Sequence, residues 1–288
     1  MDIRQLQIFA EVAKHLSFSK AAQTLHVAQP AISIAIKKLE HELDTVLLNR
    51  GAKKVSLTPE GEYLLAHAKK MLLQMAEAKL EMRELKGLVK GKVSIAMPAM
   101  YASYYFPDII SVFRKQHPDL SILVKEAGTR EIEQDLLNGD IDLGVVTLDH
   151  TSEALEVHPL LDEEMVACVA HDHPFAKAQS ITFKEFFKEP LILVRPGYFL
   201  RETVDRSAQE LGISPNIAFE TNLMLLIKKL ALSGCGVGTC LRFVLKDEET
   251  LKGVSFNPQV LFRMGLAWRK GHYLSTANRA FIDFVLSQ

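Results

Sequence analysis

His171, Asp172 and His173 put two imidazoles two residues apart, a spacing at which both can share one face of a strand and hold one metal ion. A zinc-type site needs three or four donors; no third or fourth is indicated, so no metal ligand is assigned. Asp140 and Asp142 in "GDIDLG" pair two carboxylates, the raw material of acid–base hydrolysis. With no partner site, carboxylates that end a turn and accept backbone amides are the simpler reading. "GCGVG", residues 234–238, is spaced like a phosphate loop but follows a predicted helix instead of opening one, as a capping glycine does. Cys235 and Cys240 stand five apart after that helix, and they or the methionines could register an oxidant. No charge beside either thiol in the sequence would lower its pKa, however. Nucleophile, base and orienting group are nowhere identifiable together, so the chain is expected not to be an enzyme, with no catalytic residue and no cofactor.

A different chemistry lies in the charges. Residues 1–58 hold eight basic and five acidic side chains, a surplus of +3. The chain as a whole carries −1, so the other 230 residues carry −4. A small basic head on an acidic body suits a polyanionic partner. The length of 288 residues predicts two or three domains. At 48% hydrophobic and 24% charged the composition is that of a soluble globular protein. No apolar run reaches the length of a membrane span, and the N-terminus, with Asp2 and Arg4 at once, is amphipathic rather than signal-like. Three cysteines, Cys168 apart from the other two, fit a reducing compartment, so a cytoplasmic protein with no membrane partner is expected.

The elements that must position this basic head follow from spacing. Leu6, Phe9, Val12, Ala13 and Leu16 recur at helical intervals. Ser19 is the predicted cap of a second helix, "KAAQTLHV". A third helix opens at "AQP", because Pro30 fits a first turn, where the amide it lacks has no helical partner. A supporting helix followed by two short helices across a tight turn is a helix-turn-helix. Ile32, Ile36 and Leu39 form the buried stripe of the third helix. Ile34 lies about 200° round from Ile32, at roughly 100° per residue, and points outward. In a recognition helix that direction is the major groove, where the thymine methyl is the apolar label among base edges. Gln29, Ser33 and Lys37 follow one another on the same flank, and Lys37, Lys38, Arg50, Lys53 and Lys54 are predicted to neutralise phosphates. Ser19, Lys20 and Pro30 complete the candidate DNA contacts. "TVLLNRGAKKVSLT" reads as two short strands around a basic tip, a wing.

Thr58, Pro59 and Glu60 start a new helix by capping, first-turn proline and dipole. Along it Leu64, Ala68, Met71, Met75, Ala78, Met82 and Leu85 step alternately by four and three, a heptad seam. So long a solitary helix has no core of its own to cover it, and pairing with a second chain is predicted. From Lys92 the pattern becomes α/β: "KVSIAM", "LSILVKE" and "IDLGVV", then "VACVA", "PLILV", "IAFE" and "GVGTC", with helices between and near 276–286. Two α/β halves with loops at their strand ends predict a cleft.

The run "LQIFAEVAKHLSFSKAAQTLHVAQPAISIAIKKLEHELDTVLLNR", continued by "VSLTPEGE", resembles the N-terminal signature of the LysR-type transcriptional regulators. "FPDIISVFRKQHPDL", "LLNGDIDLGVV", "HDHPFA" and "LALSGCGVG" extend the likeness over essentially the whole chain. The resemblance implies an N-terminal winged helix-turn-helix over 1–58 and a dimerising linker helix and hinge over 59–90. It also implies a two-lobed effector domain, like a periplasmic binding protein, over 91–288, with lobe one at 91–161 and 267–288 and lobe two at 162–266. By the same resemblance the protein is a sequence-specific DNA-binding regulator acting as a homodimer or a dimer of dimers. It would bind a pseudo-palindromic site on double-stranded DNA, with binding or bending modulated by a small-molecule effector. Family position puts Met97, Pro98 and Met100 on one wall of the effector cleft, Thr129 and Arg130 on a neighbouring loop, and Thr221 and Asn222 on the other lobe. Arg195, Gly197 and Arg201 would edge the opening.

The chain departs from the family at Ala28, Ile34 and Ala35, at Gly51-Ala52 in the wing, at "TCLR", and at Met97-Pro98-Ala99-Met100, which lacks the hydroxyl that often holds an anion. Methionine makes no strong hydrogen bond, so an apolar organic effector is expected ahead of an oxidant sensed by methionine or cysteine. The competing class is an α/β solute-binding protein or enzyme with an accessory helical head. It predicts turnover, or ligand binding that survives removal of residues 1–60.

Overall fold

The computed structural model describes residues 1–50, 55–84, 91–149 and 151–288. Contacts divide the chain into two compact units, Met1–Leu88 and Val89–Gln288.

In the first unit α1 (Ile3–His15) opens with a capping box: the Asp2 carboxylate accepts from the Gln5 amide at 2.8 Å, and the Gln5 side chain accepts from the Asp2 amide at 2.7 Å. Leu16 ends it in the left-handed region at φ 47°. That sharp end moves the next cap forward. Ser17, not the expected Ser19, is extended and accepts from the Lys20 amide at 3.3 Å, and α2 runs Phe18–Thr24. Ser19 sits inside the first turn with its side chain exposed. α3 (Gln29–Glu42) starts with Pro30 in its first turn. Phe9, Val12, Ala21, Ile32, Ile36 and Leu39 close the core between the three helices. β1 (Leu48–Arg50) pairs antiparallel with β2 (Val55–Leu57), Asn49 facing Ser56. The tip of this wing lies outside the described residues. Thr58 donates to the Val46 carbonyl at 2.7 Å and accepts from the Gly61 amide at 3.0 Å, capping α4 (Pro59–Glu84).

In the second unit β3 (Lys92–Met97) leads through a π turn (Tyr101–Tyr105) into α5 (Phe106–Gln116), and then to β4 (Ser121–Glu126), α6 (Thr129–Asn138) and β5 (Leu143–Thr147). The 16-residue β6 (Leu155–Ala170) follows. Next come β7 (Ser180–Ile181), α7 (Phe183–Phe186), β8 (Leu191–Leu193), α8 (Phe199–Leu211), β9 (Ile217–Glu220), α9 (Met224–Leu232) and β10 (Val237–Leu241). β11 (Leu251–Phe256), β12 (Leu261–Arg269) and α10 (Thr276–Leu286) complete it. The strand order β4-β3-β5-β12-β6-β10-β8-β9 makes two lobes that share β6. Its first part pairs with β12, out to Leu261 opposite Glu164. Beyond that point Met165–Ala170 pairs with β10 and β11 instead.

All of β12 therefore belongs to the first lobe. The lobes change at 164/165 and before 261, not at 161/162 and 266/267, because the hydrogen-bonded ladder carries past the expected breaks. The parallel strands β3, β8 and β10 are mostly buried, as parallel strands covered by helices are.

Candidate functional site

On the head, Gln29, Pro30, Lys37 and Lys38 are exposed on α3. The Gln29 side chain donates to the Ser33 hydroxyl at 3.1 Å, so the two polar groups are held together on one flank. Ile34 is 67% exposed beside them, whereas Ile32 and Ile36 are fully buried. Lys20 is exposed on α2. Arg50 differs from expectation: its guanidinium donates to Glu40 at 2.6 Å and lies 5.5 Å from the centre of the Phe18 ring. The other Glu40 oxygen accepts from the Leu47 and Leu48 amides. Arg50 thus ties the wing to α3, with its charge already balanced. Lys53 and Lys54 lie outside the described residues.

The heptad seam is divided. Ala68 is fully buried and, with Leu64, packs on the head's own core, so neither is free to form the expected dimer surface. The reason is that the first turns of α4 lie against α1. Met71, Ala78 and Met82 are exposed and Met75 is half-buried; Leu85 lies outside the described residues.

In the second unit the lobes face each other across a cleft. Pro98 and Met100 from one lobe and Val194, Leu200 and Asn222 from the other line a cavity of about 20 Å³. Beside it Thr129, Arg130, Thr147, Thr203, Arg206 and Phe262 line an open groove of about 390 Å³. Phe199 borders both spaces. Five expected residues, Met97, Arg195, Gly197, Arg201 and Thr221, are absent from either lining. Met97 is fully buried in the core, since odd positions of β3 face inward. Arg201 is buried and consumed by Asp205 at 2.8 Å, Glu220 at 2.6 Å and the Val194 carbonyl at 3.1 Å. The Arg195 side chain is exposed, and its amide donates to Asn222 Oδ1 at 3.0 Å. Thr221 spends its hydroxyl accepting from the Leu223 amide at 3.1 Å. Gly197 is left-handed at φ 90°.

Sequence reasoning missed Tyr198 and Glu126, which meet across the cleft at 2.6 Å. The turn-forming "RPGY" was the available signal for the first; nothing local marked the second.

The cysteines pair differently from the sequence spacing. Cys235 is exposed, while Cys168 and Cys240 are both buried on neighbouring strands, offset by two residues. The hydrogen bond that the Cys240 thiol donates to Cys168, together with burial, pushes that thiol well up, the wrong direction for a reactive thiolate. His173 accepts from the Phe175 amide at 3.1 Å and caps a turn. Asp142 accepts from Asn278 Nδ2 at 3.0 Å. Among the described residues there is no cluster of three metal-ligating side chains, and none of their helices is long and apolar enough to cross a membrane.

Residues 3–62 match the model of the bacterial regulatory helix-turn-helix protein, lysR family, and residues 86–288 that of the LysR substrate binding domain. The uncharacterized HTH-type transcriptional regulator YybE of Bacillus subtilis is 30% identical, covering 100% of this chain and 99% of its own. The DNA-binding transcriptional dual regulator OxyR of Escherichia coli is 29% identical over 94% of this chain and 90% of its own. A full-length OxyR variant from Pseudomonas aeruginosa shares the fold, with a TM-score of 0.71 at 24% identity over 99% of this chain and 94% of that one.

Proposed function

The chain belongs to the LysR family of helix-turn-helix transcriptional regulators, and on that premise we propose how it reads DNA and what controls it. Two chains pair along the exposed part of the α4 seam, Met71, Met75, Ala78 and Met82. They set two α3 helices into successive major grooves of a pseudo-palindrome, about 34 Å apart. Gln29 and Ser33 present hydrogen-bonding groups, Ile34 an apolar one, and Lys37, Lys38 and Lys20 neutralise phosphates. The observation that carries this reading is Ile34, 67% exposed between Gln29 and Lys37 on a helix whose other isoleucines are buried. An exposed isoleucine in a polar setting has a use when a thymine methyl covers it.

The effector cleft lies between the lobes. Its closed part is walled by Pro98, Met100, Val194 and Leu200 and has Asn222 as a polar group. That lining supports a small, largely apolar organic effector. A relative named as a hydrogen peroxide-inducible genes activator favours a second reading, an oxidant signal. Against it stand the buried Cys168 and Cys240. The protein works in the cytoplasm, as a regulator rather than an enzyme.

Selecting genomic fragments retained by the purified protein at stated salt, with and without a metabolite extract or peroxide, tests both parts. Retention of a reproducible set, shifted by the extract and not by peroxide, is the expected result. Equal retention of all fragments would overturn the specific-binding reading, and a shift by peroxide alone would overturn the organic effector.

A further inference from the structure

The two lobes meet where Tyr101 packs on Phe243, and again at the edge of the effector cleft, through a contact between specific polar groups. Tyr198, at the mouth of α8, donates its hydroxyl to Glu126 Oε1 at 2.6 Å, joining the second lobe to the end of β4 in the first. Next to it the backbones nearly meet. A Cβ added at Gly128 would lie 2.4 Å from the Gly197 carbonyl oxygen. The Gly128 backbone, at φ −73° and ψ 153°, is open to any residue, so glycine is required there by the contact and not by conformation. Gly197 itself needs glycine, at φ 90°. Arg130 and Glu202 add an outer ion pair at 2.6 Å, of little worth because the Arg130 side chain is 76% exposed.

Behind this contact lies the cavity of about 20 Å³, room for one water molecule. A pocket for an organic ligand needs several hundred Å³. With the lobes in this position, the site between Pro98, Met100, Leu200 and Asn222 admits no effector.

We propose that Tyr198 and Glu126 form a latch that holds shut the part of the effector cleft walled by Pro98, Met100 and Leu200, and that an effector in the adjoining open groove reaches into this part only when the bond is broken. The proposal rests on the reading of the cleft as the effector site. Burial and the Glu126 carboxylate push the Tyr198 phenol upward, so it remains a donor across the working pH range. A hydrogen bond to a carboxylate is stronger than one between neutral groups. The close approach of Gly128 and Gly197 sets the lobe spacing at which the bond forms.

The test uses the full chain with Cys235→Ser and Ala99→Cys, which puts one new thiol in the cavity wall while Cys168 and Cys240 stay buried. The rate of alkylation by iodoacetamide then reports opening. Tyr198→Phe removes the bond at constant shape and Glu126→Ala removes its acceptor; Gly128→Ala wedges the loops apart without touching the latch side chains. Each should raise the rate about tenfold or more, and Arg130→Gln should leave it within twofold. Far-UV circular dichroism confirms that each variant is folded. Parental rates in Tyr198→Phe and Glu126→Ala would overturn the latch. So would an Arg130→Gln effect as large as theirs, which would mean general loosening, or a parental rate in Gly128→Ala, which would mean the loops are not in contact. Labelling needs neither DNA nor effector. A protein that fails to select DNA would sink the regulator reading and leave the latch result standing, and the reverse holds equally.

Discussion

Ile34 and Tyr101 show opposite ways in which one side chain can be out of place. Ile34 leaves apolar surface in water on the outward side of α3. Changing it to alanine should cost about 1 kcal/mol of binding to the selected site, the worth of one or two methylene groups. The loss should vanish on a copy in which the contacted thymine is replaced by uracil, which lacks the methyl. Titrating both proteins on both DNAs by anisotropy checks this; an equal loss on the two DNAs would remove the methyl contact. Tyr101 hides a polar group instead. Its hydroxyl is buried with no hydrogen-bond partner among the described residues, and its ring packs at 5.3 Å against Phe243. Burial, then Glu163 and Tyr105, push the phenol far upward, so it is neutral at any working pH. Tyr101→Phe should therefore be neutral to stabilising by about 1 kcal/mol, seen as a higher midpoint in urea with an unchanged slope. A clear destabilisation would mean that the hydroxyl has a use.

Among the elements, α4 carries two jobs on one stripe. Its early turns complete the core of the head through Leu64 and Ala68, and its later turns expose Met71 and Met82. Methionines adapt to irregular partners, and Ala78 lets a second helix come close. Met75→Glu would put an unpaired charge into the proposed contact, costing several kcal/mol per site, and light scattering should report the mass of the oligomer at least halved. An intact oligomer would place the pairing surface elsewhere. Because Met75 is half-buried and far along the helix from Ala68, the head itself should keep its helical signal.

Across the whole molecule, the effector unit leaves apolar side chains on α9 and the neighbouring strand edge: Leu223 and Leu225 at 67% and 66% exposed, and Phe219 on β9 at 41%. β4, at the other end of the strand order, exposes Leu123 and Val124. Large contiguous apolar patches mark interaction surfaces, and under the proposed pairing through α4 a second copy is at hand. Leu223→Lys with Leu225→Lys should halve the mass of any dimer of dimers in sedimentation and leave the α4 pair intact. A mass equal to that of the parent would make these leucines plain surface residues.

What the sequence determined by itself was periodic or local: the three helices of the head, the capping threonine of α4, the strands beginning with "KVSIAM", and Ile34 facing outward, although the cap of α2 fell two residues before the expected Ser19. Helical and strand periods, caps and prolines act over a few residues, so they are legible without a partner. The tertiary structure decided whatever depends on residues far apart in the chain. Arg50 was a free phosphate ligand until Glu40, ten residues away, was found beside it. Ala68 belonged to a seam until the head's core covered it. Cys240 was paired by spacing with Cys235 and in space with Cys168. Tyr198 and Glu126 lie 72 residues apart and meet because β6 and β12 bring the lobes together. Such pairings are set by the packing of whole lobes, and no local pattern encodes them.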